Sequence, residues 1–282
     1  MNSPKSIRAK LMNLSKSSNI DFQSIITRYI HERILYRISK SEYKNNFILK
    51  GGHLLYAHFG LVSRPTVDID FSGHEISNLP EILIQAFSKI LVIPYDDALV
   101  FEIDTIYYQL IKEEHKHQGC RLVFNAKLDS IKQQIKIDLG FGDVMVPEPN
   151  QINYPVLLSF LDAPILNAYA IETVVAEKLH AILFLGELSS RMKDFYDIHT
   201  LVVSLKINSE NLKNAIEKTF ENRNFKPSKS SLVFEPSFFE NEKRLKMWET
   251  YLRKIKVQHI DFVLVVNNIQ QLYLSVICSE ND

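Results

Sequence analysis

The period of the hydrophobic pattern changes several times along the chain, and each change marks an expected element. Residues 4–16 and 20–40 carry a helical period. In IDFQSIITRYIHERILYRI, Phe22, Ile25, Ile26, Ile30 and Ile34 fall near one face, which leaves the charges for the other. Residues 47–49 read as a short lead-in. Gly51-Gly52 then opens a helix over 53–59, and Gly60 supplies a stop. Residues 66–71 read as a strand, followed by a Ser-Gly turn and a helix over 80–90. Three β-rich runs follow at 99–111, 120–128 and 134–139, the first two joined by the polar loop KEEHKHQG. In the last run Ile135, Ile137 and Leu139 alternate with Lys136 and Asp138, so Asp138 lies on the face opposite the isoleucines.

The texture changes after PEPNQINYP. IETVVAEKLHAILFL, residues 171–185, predicts a helix, a second is expected over about 192–205, and further helices after 208 are interrupted by the polar ENRNFKPSKSS. No internal repeat stands out. The pattern predicts an α/β domain with N-terminal helices over 1–160 and a mainly helical domain over 161–282.

Composition narrows the classes. Of 282 residues, 46% are hydrophobic and 23% charged, ordinary values for a globular protein with a sizeable core. The 33 basic and 33 acidic side chains cancel, which argues against a general nucleic-acid coating role but permits a local basic cleft. Two cysteines, Cys120 and Cys278, lack metal spacing and suggest reduced thiols. The N-terminal stretch has no apolar signal segment, and no run suits a membrane span, so a cytoplasmic location is expected.

The sharpest chemical signal is RPTVDIDF, where Asp68 and Asp70 stand two apart in an expected strand and so share a face. Adjacent carboxylates repel unless a cation lies between them. With Asp138 from a later strand they could surround one or two hard divalent ions, which take oxygen ligands and bridge to phosphates. Asp104 and Asp143 are rivals for the third place. Gly51-Gly52 ahead of a helix would let backbone N–H groups approach a triphosphate. A D-x-D pair or a double glycine alone is more often a surface feature or a plain turn; the combination is the informative part.

KGGHLLYAHFGLVSRPTVDIDF followed by IKIDL resembles the nucleotidyltransferase superfamily built on the polymerase-beta-like fold. The longer pattern, with ETVVAEKLHAI and SRMKDFYDIHTL, resembles the AbiEii/AbiGii toxin family over residues 47–201. The resemblance implies an α+β fold: a mixed sheet with flanking helices, then a mainly helical C-terminal domain. It implies Asp68, Asp70 and Asp138 as metal ligands for Mg2+ or Mn2+, with Asp138 also the general base. Lys50, Gly51, Gly52, His53, Arg64 and Thr66 would bind the nucleotide. Lys178 would reach its phosphates, Asp194 would be the acidic partner, and Arg191, Lys193 and Asp197 would support them. His53 departs from the pattern, which has Ser or Thr there. Thr66 matches a position where phosphorylation would add negative charge beside Asp68.

The implied activity is transfer of a nucleoside monophosphate from an NTP, by the toxin of a phage-defence abortive-infection system with a cognate antitoxin. The resemblance suggests a tRNA 3′ end as acceptor. A small-molecule or protein hydroxyl, and a nucleotide-binding module without turnover, stay open as alternatives. His180, His199 and Trp248 read as packing or surface residues. Lys226, Lys229, Lys243, Arg244, Lys246, Arg253 and Lys254 could track an RNA backbone, although glutamates are interleaved.

Overall fold

The computed structural model describes residues 3–111, 119–228 and 230–277. Most of the KEEHKHQG loop, Lys229 and Cys278 therefore lie outside the described residues. The chain divides into two compact units, one of residues 1–142 with 150–168, the other of 143–149 with 169–282.

The first unit begins with α1 (Pro4–Ser18) and α2 (Phe22–Lys40). Each starts on a side-chain cap: Ser3 accepts from the amide of Ser6, and Asp21 from that of Ser24. Next come β1 (Phe47–Lys50), α3 (Gly51–Phe59), β2 (Ile69–Gly73) and α4 (Pro80–Leu91). The unit continues with β3 (Leu99–Ile111), β4 (Gly119–Leu128), β5 (Ile131–Gly140), β6 (Asn150–Asn153) and β7 (Ile165–Ala168). The strands form one seven-stranded mixed sheet in the order β3-β4-β5-β2-β1-β7-β6. β2 runs parallel to β5 and antiparallel to β1, so two strands distant in sequence sit side by side. Along β5 the side chains alternate as expected, with Ile135, Ile137 and Leu139 fully buried. Phe47 packs against Phe71 and Phe87, with ring centroids 5.9 and 4.9 Å away.

Three features differ from the sequence expectation. β2 starts at Ile69, so Thr66 and Asp68 stand in the bend before the strand rather than in it. The short strands β6 and β7 were not expected; NQIN in β6 is mostly exposed and has no apolar period.

The third difference is α2, which is not a surface helix with a charged outer face. Every residue of 25–38 is buried, including Arg28, His31, Glu32, Arg33 and Arg37. α1, α4 and β7 all pack against it. Its charges find partners inside: Arg37 grips Asp97 at 2.5 and 3.2 Å, Arg33 meets Glu32 at 2.8 Å, and Glu32 accepts from the Leu157 amide at 2.7 Å. Burial raises the Glu32 carboxyl to about 7, against the pull of Arg33.

The second unit is helical: α5 (Ile171–Leu185), α6 (Met192–Ser204), α7 (Ser209–Asn222), α8 (Pro236–Phe239), α9 (Glu242–Ile255) and α10 (Phe262–Ile277). Trp248 is buried among Tyr196, Tyr251 and Phe262 and donates to the Ile260 carbonyl at 2.6 Å. His180 is likewise a packing residue, stacked on Phe184 and edge-on to Phe220 and Phe225. Among the described residues no helix is long and apolar enough to cross a membrane.

Candidate active site

Strand register builds the site. Asp70 on β2 pairs with Asp138 on β5, Asp138 with Arg121 on β4, and Asp70 with Lys50 on β1. Directly paired residues share a face, so four adjacent strands carry a row reading Arg121, Asp138, Asp70, Lys50. Its two central carboxylates are like charges on neighbouring strands, flanked on each side by a cation. Asp68, from the bend before β2, completes the group. One carboxylate oxygen from each of Asp68, Asp70 and Asp138 lies within 4.8 Å of the others, and all three residues are half-buried. An all-oxygen set of three carboxylates fits a hard divalent cation such as Mg2+ or Mn2+ and is a poor site for softer metals. The geometry gathers Asp138 with the D-x-D pair. Asp104 is exposed on β3, and Asp143, in the second unit, accepts from Arg223 at 2.9 Å.

Arg121 was not foreseen from the sequence. Its Nε and Nη2 donate to the two oxygens of Asp138, each at 2.6 Å, a bidentate fork. That contact with Asp138, aided by the charges of Asp68 and Asp70, raises the guanidinium's already high pKa. Its position in the strand pattern was visible, but its partner was not, because partner choice depends on the register between β4 and β5.

The double glycine serves the carboxylates directly. Gly51 has φ +67°, a left-handed conformation, and a Cβ there would lie 2.0 Å from an Asp70 carboxylate oxygen. A Cβ on Gly52 would meet the Thr66 hydroxyl at 2.8 Å and Arg64 Nη1 at 3.2 Å. Thus Gly51, Gly52, Arg64, Thr66 and Asp70 crowd one spot at the start of α3. The Thr66 hydroxyl also lies 3.2 Å from the carbonyl and from a carboxylate oxygen of Asp68, so it can donate to either.

His53, expected at the nucleotide, is instead a core residue, 1% exposed. Its Nε2 is 2.8 Å from Nδ1 of His31, and its Nδ1 is 2.6 Å from the Tyr154 hydroxyl. Both ring nitrogens are thus engaged within the fold. Burial lowers the pKa of both histidines, that of His31 to about 4, and raises that of the Tyr154 hydroxyl.

In the second unit, Lys178 on α5 reaches Asp194 at 2.7 Å and Asp197 at 2.8 Å, both on α6. Asp194 and Asp197 are fully buried, and Arg191 also contacts Asp194. Burial alone would raise the Asp194 carboxyl, but Lys178 and Arg191 outweigh it and bring the pKa down to about 2. The like charges at i and i+3 on α6 are therefore bridged by one ammonium. Arg223, the residue that caps the C-terminus of α7, joins Asp143 and Glu177, a further arrangement the sequence did not disclose.

The sheet, the glycine turn against Asp70 and the three gathered carboxylates describe a nucleotidyltransferase. Residues 33–271 match the family model described as the nucleotidyl transferase AbiEii toxin of type IV toxin–antitoxin systems, and the chain belongs to that family. Two solved structures share the fold. JHP933 from Helicobacter pylori has a TM-score of 0.54 at 15% identity, over 90% of this chain and 91% of its own. A protein proposed to be a nucleotidyltransferase, also from H. pylori, has a TM-score of 0.54 at 14% identity, over 92% of this chain and 99% of its own. No curated protein matches the sequence.

Proposed function

We propose that this nucleotidyltransferase toxin uses Mg2+ or Mn2+, held by Asp68, Asp70 and Asp138, to move a nucleoside monophosphate from an NTP to an acceptor hydroxyl. The observation that carries this reading is the convergence of three carboxylate oxygens within 4.8 Å on a glycine-lined sheet surface. When bound, the cation would neutralise charge on the triphosphate and the attacking oxygen.

The chain's own residues do the rest. The acceptor oxygen forms a bond to the α-phosphorus, the bond to the bridging oxygen breaks, and pyrophosphate leaves. Asp138 takes the hydroxyl proton: each of its oxygens accepts one N–H from Arg121, and each has a second lone pair. Arg121 fixes the orientation of that base. The N-terminal amides of α3 and the Arg64 guanidinium bind phosphate oxygens, and the Thr66 hydroxyl orients Asp68. Lys50 balances the charge of Asp70. Lys178 meets the nucleotide's phosphates, its ammonium positioned by Asp194 and Asp197. A phosphate added to Thr66 would place about two negative charges beside Asp68 and oppose entry of the triphosphate.

The acceptor we favour is a tRNA 3′ end. The setting is an abortive-infection system in the cytoplasm, with a cognate antitoxin as partner. Incubation of the protein with each α-labelled NTP, total RNA and a protein extract tests this. We expect label in small RNA, lost when the divalent cation is chelated. Label confined to protein or to small molecules would contradict the acceptor, and label transfer in chelator would contradict the metal.

A further inference from the structure

The helical unit has a cleft of about 600 Å³ between the N-terminal turn of α6 and one side of α9. Its floor is apolar, made by Met192, Met247 and Tyr251. Its rim carries Lys193 from α6 and Lys243, Lys246 and Lys254 from α9. These four lysines are exposed, and none forms an ion pair among the described residues. No lining residue is acidic. A chain with zero net charge has thus gathered unpaired cations around an apolar floor, at a cost in mutual repulsion.

The spacing has a direction. Lys243, Lys246, Thr250 and Lys254 step by three or four residues and so follow one face of α9. They span twelve residues of helix, a rise of about 16 Å. That is a stripe suited to successive phosphates of a strand, and longer than one phosphate group needs. The floor suits the flat face of a base, and the volume falls in the usual range for a bound small group. The basic run sorts itself accordingly. Arg244 turns away, donating to the carbonyls of Ser189 and Glu187 and covering the Phe238 ring at 3.7 Å.

We propose that this cleft binds a single-stranded polynucleotide, its phosphates along Lys193, Lys243, Lys246 and Lys254 and a base on the Met192, Met247 and Tyr251 floor. The purpose of such binding, to hold an RNA acceptor, rests on the transfer reaction proposed above. The binding itself does not, and its test uses no NTP and no turnover.

The test is fluorescence anisotropy of a labelled single-stranded RNA oligonucleotide with the full chain over a range of salt. The Lys246→Ala/Lys254→Ala pair should weaken binding about tenfold at 0.1 M salt and make the log–log salt slope shallower by about 1.4, roughly 0.7 per lysine. Arginine at both positions should restore the slope. Met247→Ala should weaken binding with the slope unchanged, since it removes floor and no charge. Unchanged affinity and slope in the double alanine variant would overturn the proposal. So would failure of arginine to restore the slope. Displacement of the RNA by polyglutamate at equal charge concentration would also overturn it, in favour of an acidic protein partner.

Discussion

Arg121 holds both carboxylate oxygens of Asp138 at 2.6 Å, so the third acid of the site is already engaged by a cation of the protein itself. The pair lies next to Asp70 in register, where two carboxylates occupy neighbouring strands. Arg121 therefore lowers the repulsion within the group and competes with a metal for Asp138. Arg121→Ala should destabilise the metal-free protein by about 1–2 kcal/mol, since a part-buried forked pair is lost and the carboxylates face one another. It should also tighten Mn2+ binding, because the site becomes more negative. Thermal unfolding in chelator and in Mn2+ checks both: the variant should melt lower in chelator and gain more from the ion than wild type does.

Gly51 abuts Asp70 so closely that any side chain must displace the carboxylate, and its φ of +67° adds backbone strain. Gly51→Ala should cost more than about 1 kcal/mol in unfolding free energy and remove most label transfer. Gly52→Ala meets the Thr66 hydroxyl at 2.8 Å and should be the milder change. Equal activity of the two variants would contradict the role given to Gly51.

Two buried groups of α2 give stability opposite pH slopes. His31 is lowered by burial from 6.5 to about 4, so the unfolded chain binds more protons in between, and stability rises with pH across that window. Glu32 is raised by burial from 4.5 to about 7, so the folded chain binds more protons, and stability falls as pH rises through that range. His31→Phe removes the first slope only. Urea unfolding should show the stability of wild type minus variant growing by about 2 kcal/mol between pH 5 and pH 7. A difference independent of pH would contradict the buried neutral imidazole.

Asp194 is fully buried against Lys178 and Arg191. Asp194→Ala should destabilise the helical unit by about 3–5 kcal/mol, the range for breaking a buried charge pair. Asp197→Ala leaves Lys178 its contact with Asp194, and should cost less. Chemical denaturation of the two variants ranks them, and the reverse order would contradict the bridging role of Lys178.

Local signals made much of this legible in the sequence. The alternation of IKIDL put Asp138 opposite the isoleucines, and β5 buries Ile135, Ile137 and Leu139 while leaving Asp138 half-buried on the other face. The periods of residues 99–111 and 171–185 match β3 and α5 end for end. Pairing between distant segments was not legible. Arg121 gains its meaning from the β4–β5 register, and the crowding at Gly51 from the return of β2 beside β1. α2 misled because charge usually marks an exposed face; here Asp97 and the Leu157 amide, both far along the chain, meet its charges inside. His53 was read through the motif around it, whereas its partners His31 and Tyr154 come from other parts of the chain.

We propose that metal-dependent nucleotidyl transfer depends on Asp70 together with Asp68 and Asp138. The most direct test is label transfer from α-labelled NTP to RNA in Mg2+, with Asp70→Asn and wild type compared at matched melting temperature. Wild type should transfer label, and the variant should lose at least about a thousandfold. Transfer by Asp70→Asn within a few fold of wild type would contradict it.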